Sequence, residues 1–261
     1  MTATLDIRRP SAHVAEVWLD RPEVRNAFND GVITELTAAF RTMAQDGELR
    51  AVVLGGHGKA FCAGADLSWM RSMADYTWAQ NHADASALAQ MLWTLWTCPV
   101  PVVCRIQGDC YAGGVGLAAV CDIVVAAEGL HFCLSEARLG LLPATIGPYV
   151  VRAIGEQAAR RYFLTAERFS AARAAQLGLV HEVVPADRLD AQVAELVAAL
   201  VANGPAAVKA CKQLVKDVAG EAITATLRED TARRIADMRA SAEGREGVRA
   251  FLEKREPSWK C

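Results

Sequence analysis

The strongest constraint in this sequence is a change of texture near residue 143. From residue 14 to about 135, short β-branched runs alternate with amphipathic segments. Residues 14–19 alternate as a half-buried strand does, and residues 51–54 form a short, wholly apolar run ending in Gly55-Gly56. Residues 101–106 and 122–126 read as further strands. Between them Ile33, Leu36, Phe40 and Met43 recur at helical spacing behind Asp30, a candidate cap. Leu88, Met91, Leu92 and Leu95 define another helical face. Such alternation predicts an α/β core. After residue 143 only residues 181–184 read as a strand. The rest predicts helices over 147–154, 156–165, 171–177, 188–202, 205–218, 220–240 and 244–255, with Gly204-Pro205 as a stop and restart.

Composition narrows the function classes. Apolar residues make up 52% and charged residues 22% of the 261, as in ordinary globular chains, so a dominant disordered state is excluded. A chain of this length buries roughly three quarters of its unfolded surface and needs no disulfide or metal to fold. The formal net charge of −2 argues against a nucleic-acid footprint, which demands a basic stripe. The eight cysteines show no C-x-x-C spacing and mostly lie in apolar stretches, as Cys104 does in Pro-Val-Val-Cys-Arg-Ile. They read as small core residues of a reducing compartment. No charged segment followed by an apolar stretch marks a signal peptide at the start, and no run is read as a membrane span. The expectation is a cytoplasmic protein with neither a nucleic-acid nor a membrane partner.

Familiar catalytic signatures are missing. Gly113-Gly-Val-Gly116 does not fit G-x-G-x-x-G, and neither a P-loop nor a G-x-S-x-G elbow occurs. The histidines at 13, 57, 82, 131 and 181 lack the i, i+4 spacing of a helical metal site, so no metal is expected. Two glycine-containing stretches remain: Gly58-Lys-Ala-Phe-Cys-Ala-Gly-Ala-Asp-Leu67 and Gly108-Asp-Cys-Tyr-Ala-Gly-Gly-Val-Gly-Leu117. Each follows an apolar strand and precedes a helical segment. Amides at a helix start have no partner within the helix and carry partial positive charge. One from each loop could hold a developing enolate oxygen. On spacing alone, two tight strand–helix turns explain the same pattern. Likewise Glu136, in Ser135-Glu-Ala-Arg138, is on spacing alone either a surface acid or a catalytic one.

These segments carry a resemblance. Ala60-Phe-Cys-Ala-Gly-Ala-Asp-Leu67 is similar to the AF-x-AG-x-D signature of the enoyl-CoA hydratase/isomerase (crotonase) superfamily. Residues 112–123 resemble its second oxyanion segment, residues 135–143 its catalytic-glutamate segment, residues 164–180 a further family stretch and residues 247–255 its C-terminal helix. The resemblance covers nearly the whole chain in order. It implies a crotonase-like α/β spiral of strand–strand–helix turns with a C-terminal helical subdomain. The core would span residues 1–195 with the acyl-CoA site, and residues 196–261 would form a helical trimerisation region. It also implies a homotrimer or a dimer of trimers.

Carried over by position, the resemblance implies that the amides of Ala65 and Gly113 form an oxyanion hole for a thioester carbonyl and that Glu136 is the acid/base. Arg25 falls near the CoA phosphates, and Ala63 with Ala65, Asp66, Leu67 and Ser68 along the CoA path. Phe251 and Lys254 match C-terminal positions that contact CoA, commonly from a neighbouring subunit. Trp69 and Met70 follow the first segment directly and are candidates for the acyl pocket. No cofactor is implied beyond the coenzyme A that carries the substrate.

One position departs from the family pattern. Two-glutamate hydratases carry a second Glu three residues after the oxyanion glycine, where this chain has Gly116. Where many hydratases have a glycine run after Pro143, this chain has Ala144-Thr-Ile-Gly-Pro148. Isomerisation needs one base, whereas hydration also needs its water oriented. Residues 133–155 and 159–169 look most like a bacterial branch of methylglutaconyl-CoA and isohexenylglutaconyl-CoA hydratases, acting in leucine and acyclic-terpene breakdown, which shows G-G-x-G-L without the second glutamate. The resemblance thus implies a hydratase for a branched, carboxylated enoyl-CoA. The substrate carboxylate, Tyr149 or Arg138 would take part of the missing glutamate's role. The alternatives are a Δ3,Δ2-enoyl-CoA isomerase using the same Glu136, or a CoA-binding homologue without activity.

Overall fold

A computed structural model describes residues 3–260 of the chain. It opens with an antiparallel pair, β1 (Leu5–Ser11) and β2 (Val14–Leu19), followed by helix α1 (Asp30–Gln45). Three turns of one motif follow, each a longer strand, a short strand and helix. The first is β3 (Ala51–Gly56), β4 (Ala60–Cys62), α2 (Leu67–Ala74) and α3 (Trp78–Thr97). The second is β5 (Val102–Ile106), β6 (Asp109–Tyr111) and α4 (Gly113–Val120). The third is β7 (Ile123–Ala127), β8 (His131–Cys133), a 3-10 turn over Glu136–Leu139, and α5 (Gly147–Thr165). The chain continues through β9 (Arg168–Ser170), α6 (Ala171–Gln176), β10 (Glu182–Val184) and α7 (Leu189–Ala202). It ends in α8 (Pro205–Val218), α9 (Ala225–Ala240) and α10 (Ala242–Glu253).

The longer strands join one sheet in the order β1-β2-β3-β5-β7-β10, and the short ones a second in the order β4-β6-β8-β9. From β2 to β10 the first sheet is parallel. This is the expected spiral, and its burial explains the sequence texture. Every residue of β3 is buried, as a central parallel strand requires, whereas β2 alternates buried and half-buried residues. The core runs between the sheets and α1, α3 and α4, with Phe28, Phe40, Phe61 and Phe132 fully enclosed.

Local chemistry sets the boundaries. Asn29, rather than Asp30, caps α1 by accepting from the Val32 amide at 3.0 Å, and Asp30 is the first helical residue. The two helices expected over 147–154 and 156–165 are the two halves of α5, separated at Gly155, whose φ of 76° and ψ of 159° break the helical run. Helix α9 starts at Ala225 rather than 220, because Gly220 turns the chain at φ 82° and Thr224 supplies the cap. Strand β9 has no sequence forerunner, since three residues are too few to show a period. Cys62, Cys98, Cys104, Cys110, Cys121 and Cys133 are buried, while Cys211 is exposed. Cys261 lies outside the described residues.

Helix α7 packs on β3, β5 and β7, so a division at 195/196 falls inside one helix that belongs to the core. Helices α8 and α9 bury no residue, and α10, packed on both, buries only Ala250. Among the described residues no single helix is long and apolar enough to cross a membrane.

Candidate active site

The first glycine loop is held from below by residues 21–28. After β4, the Ala63 amide donates to the Arg25 carbonyl at 3.0 Å, and Gly64 turns the chain at φ +92°. Ala65 then forms an isolated parallel bridge with Phe28. The Phe28 amide donates to the Gly64 carbonyl, and the Asp66 amide to the Phe28 carbonyl, both at 2.7 Å. In a parallel bridge one residue bonds to the two neighbours of its partner. The amide of Ala65 itself therefore points to the opposite side, and no described residue accepts from it.

Asp66 finishes this loop. It is only 4% exposed and caps α2, accepting from the amides of Ser68 and Trp69 and from the Ser68 hydroxyl. Its second oxygen pairs with Arg21 at 2.7 Å. Burial alone would raise the Asp66 carboxyl, but the Ser68 and Arg21 hydrogen bonds outweigh it and hold the group at about 2. This carboxylate faces inward. Its oxygens serve Arg21 and the start of α2.

The second loop begins where the Ala112 amide donates to the Cys133 carbonyl at 2.8 Å. Ala112 has φ 47° and ψ −117°, a strained conformation for a residue with a Cβ. It leaves the Gly113 amide at the half-buried start of α4, where no described residue accepts from it. The two loops touch. A Cβ on Gly64 would sit 3.0 Å from that of Ala112, and one on Gly113 would sit 2.7 Å from the Phe28 ring.

Glu136 opens the 3-10 turn three residues beyond Cys133, whose carbonyl accepts from the Ala112 amide of the second loop. Its side chain is half-buried, its Oε2 is buried without a hydrogen-bond partner, and burial raises its carboxyl above the usual range. The Arg138 guanidinium turns away to the Ala166 carbonyl at 2.6 Å. Tyr149 packs on Trp96 with ring centroids 5.5 Å apart, in a separate cleft lined by Arg152 and Lys212. Arg138 is thus engaged with Ala166 and Tyr149 with Trp96. Gly116 lies within buried α4, one turn past Gly113, and a Cβ there would overlap the Ile146 side chain.

The remaining candidates spread around this centre. Leu67 and Ser68 are exposed on α2. Trp69 is half-buried against the core, its indole donating to Asp84 at 3.1 Å. Arg25 is exposed in the left-handed region and lines a cleft of about 440 Å³ with Lys59, Ala63, Gln107 and Tyr111. Phe251 and Lys254 lie at the end of α10, away from this cluster in the fold, and Phe251 is 81% exposed. No geometry within one chain joins them to Glu136. The sequence reading passed over Arg21, Asn26, Phe28 and Ile146. The first three flank Arg25 in the run after β2, and a polar Asn directly before Ala27-Phe28 was the available signal. Ile146 gave none.

Comparison with known proteins places the fold in a family. Residues 9–261 match the family model described as enoyl-CoA hydratase/isomerase. A crystal structure of an enoyl-CoA hydratase from Shewanella pealeana superposes with a TM-score of 0.94 at 40% identity, covering 98% of this chain and 96% of that one. AtuE of Pseudomonas aeruginosa superposes with a TM-score of 0.94 at 36% identity, covering 99% and 100%. The 2,3-dehydroadipyl-CoA hydratase of Escherichia coli is 32% identical over 245 residues, 93% of each chain. With its spiral of strand–strand–helix turns and a family match over nearly its whole length, this chain belongs to the enoyl-CoA hydratase/isomerase (crotonase) family.

Proposed function

We propose that this protein is a one-glutamate hydratase, adding water across the 2,3 double bond of a branched, carboxylated enoyl-CoA of the methylglutaconyl type. The observation that carries the reading is a buried, unpartnered carboxylate oxygen on Glu136, three residues past the strand that bonds the second of two loops with acceptor-free amides. The thioester oxygen accepts from the Ala65 and Gly113 amides. Glu136, ionised, takes a proton from water as the water oxygen bonds to C3. The electron pair of the double bond moves onto the thioester oxygen, and Glu136 returns the proton to C2. Burial that raises the Glu136 carboxyl brings its affinity for a proton closer to the neutral range, as an acid/base requires. No separate cofactor enters these steps.

Ile146 packed over Gly116 leaves no room for a second carboxylate there, so water needs another anchor. The carboxylate of the substrate serves, because Arg138 and Tyr149 are engaged elsewhere. The E. coli relative, named for 2,3-dehydroadipyl-CoA, supports an acyl group ending in a carboxylate. Phe251 and Lys254, exposed on α10, would meet CoA bound to a neighbouring subunit of a trimer, and Arg25 and Ala63 would meet CoA within the subunit.

Product analysis with methylglutaconyl-CoA, crotonyl-CoA and 3-hexenoyl-CoA tests this. The expected result is a 3-hydroxyacyl product, fastest from methylglutaconyl-CoA, that disappears in Glu136→Gln. Equal rates with crotonyl-CoA would remove the role of the substrate carboxylate. Migration of the 3-hexenoyl double bond without hydration would make the protein an isomerase, the reading that a lone base also permits.

A further inference from the structure

Two amides that polarise one carbonyl must keep a fixed separation, yet Ala65 and Gly113 sit on different loops with no hydrogen bond between them. One residue grips both. The Phe28 backbone bonds to either side of Ala65, through the Gly64 carbonyl and the Asp66 amide. Its ring lies against Gly113, where even a methyl group would come within 2.7 Å. Phe28 is itself immobilised, being 2% exposed. Behind it Asn26 is buried in the left-handed region, with its side-chain amide donating to the His57 and Ala60 carbonyls at 2.8 and 2.9 Å. Arg21 ties the Ala27 carbonyl to Asp66.

We propose that Phe28 is a positioning residue that sets the distance between the Ala65 and Gly113 amides. The proposal rests on the reading that those amides hold the thioester oxygen. Its two functions separate chemically. The grip on Ala65 is made by the backbone and survives side-chain substitution, whereas the support under Gly113 is the ring alone. Phe28→Leu therefore loosens one amide and leaves the other in place. Donor alignment matters most when charge develops on the oxygen. The variant should lose about tenfold or more in kcat, with KM changing by less than about twofold.

A spectroscopic readout distinguishes positioning from general packing. The thioester carbonyl is labelled with ¹³C in whichever of the three thioesters above turns over fastest. Its stretching frequency is recorded bound to Glu136→Gln and to Glu136→Gln/Phe28→Leu. A downshift on binding to the first, diminished in the second, is expected. An undiminished downshift with unchanged kcat in a folded Phe28→Leu overturns the proposal. No downshift in Glu136→Gln itself overturns the amide reading first, and this proposal with it. A cycle with Gly113→Ala supplies a second measure, and Phe28→Met replaces Phe28→Leu throughout if the latter does not fold. Gly113→Ala should cost far more kcat beside Phe28 than beside Leu or Met. Equal losses in both backgrounds would overturn the proposal.

Discussion

The two sides of the candidate site are built in opposite ways. On the amide side every neighbouring group is engaged: Phe28 brackets Ala65, Asp66 serves Arg21 and α2, and Ala112 is bonded to Cys133. On the carboxylate side Glu136 Oε2 is buried with no partner, and nearby Leu139, Leu141 and Leu142 are exposed. The first side is over-determined and the second keeps one carboxylate oxygen free of partners. Donors work best when they cannot reorganise, while an acid/base needs a carboxylate with a free oxygen.

The contrast breaks most sharply at Glu136. Glu136→Gln should cut turnover by about 10²- to 10⁴-fold. Yet it should stabilise the fold at pH 7 by on the order of 1 kcal/mol, because a buried charge without a partner is removed. The sign of its pH dependence follows from the raised carboxyl. The folded protein binds that proton more tightly than the unfolded chain does, so the cost is present above the folded value. It vanishes below the ordinary value of 4.5. Denaturation of wild type and variant at pH 4 and pH 7 checks both points, and a destabilised variant at pH 7 would contradict the assignment of an unsatisfied charge.

Asp66→Asn should show the opposite balance, costing about 3 kcal/mol of stability by stranding Arg21. Here the carboxyl is depressed to about 2, so the wild-type advantage is complete above 3.8 and fades as the pH falls toward 2. Acid-denaturation curves of the pair would reveal it as convergence below pH 3.8. Next, Gly116→Ala should destabilise by about 2 kcal/mol through overpacking on Ile146. Ile146→Val should recover part of the loss, as melting temperatures of the single and double variants would show. Smallest is Ala112→Gly. Relief of strain worth about 1–3 kcal/mol against a glycine entropy cost of about 0.5–1 kcal/mol should raise stability by about 1 kcal/mol. The same change frees the loop that aims the Gly113 amide, so kcat should fall while the melting temperature rises.

Much of this molecule is legible without coordinates. The buried run of β3, the alternation of β2 and the period of α1 each reflect one element meeting the core, and such elements print their period in the sequence. Strand β9 does not, because its identity comes from pairing with β8 across a long separation. The loops show the same division. Small residues between strand and helix mark Ala65 and Gly113 as candidates. That Asp66 turns inward is invisible until Arg21 is seen beside it.

The sequence by itself determined the longer parallel strands and most of the helices, the family, and the candidates Glu136, Ala65 and Gly113 with the glycine at 116. The elements rest on periodicity and backbone freedom, while the family and the candidate residues rest on a resemblance carried by several motifs in order. Tertiary structure alone decided which amides keep no acceptor and that Glu136 Oε2 is buried alone. It also decided that Ile146 fills the space over Gly116 and that one phenylalanine spans both loops. Each of these is a contact between segments far apart along the chain, fixed by close packing, which local sequence does not encode.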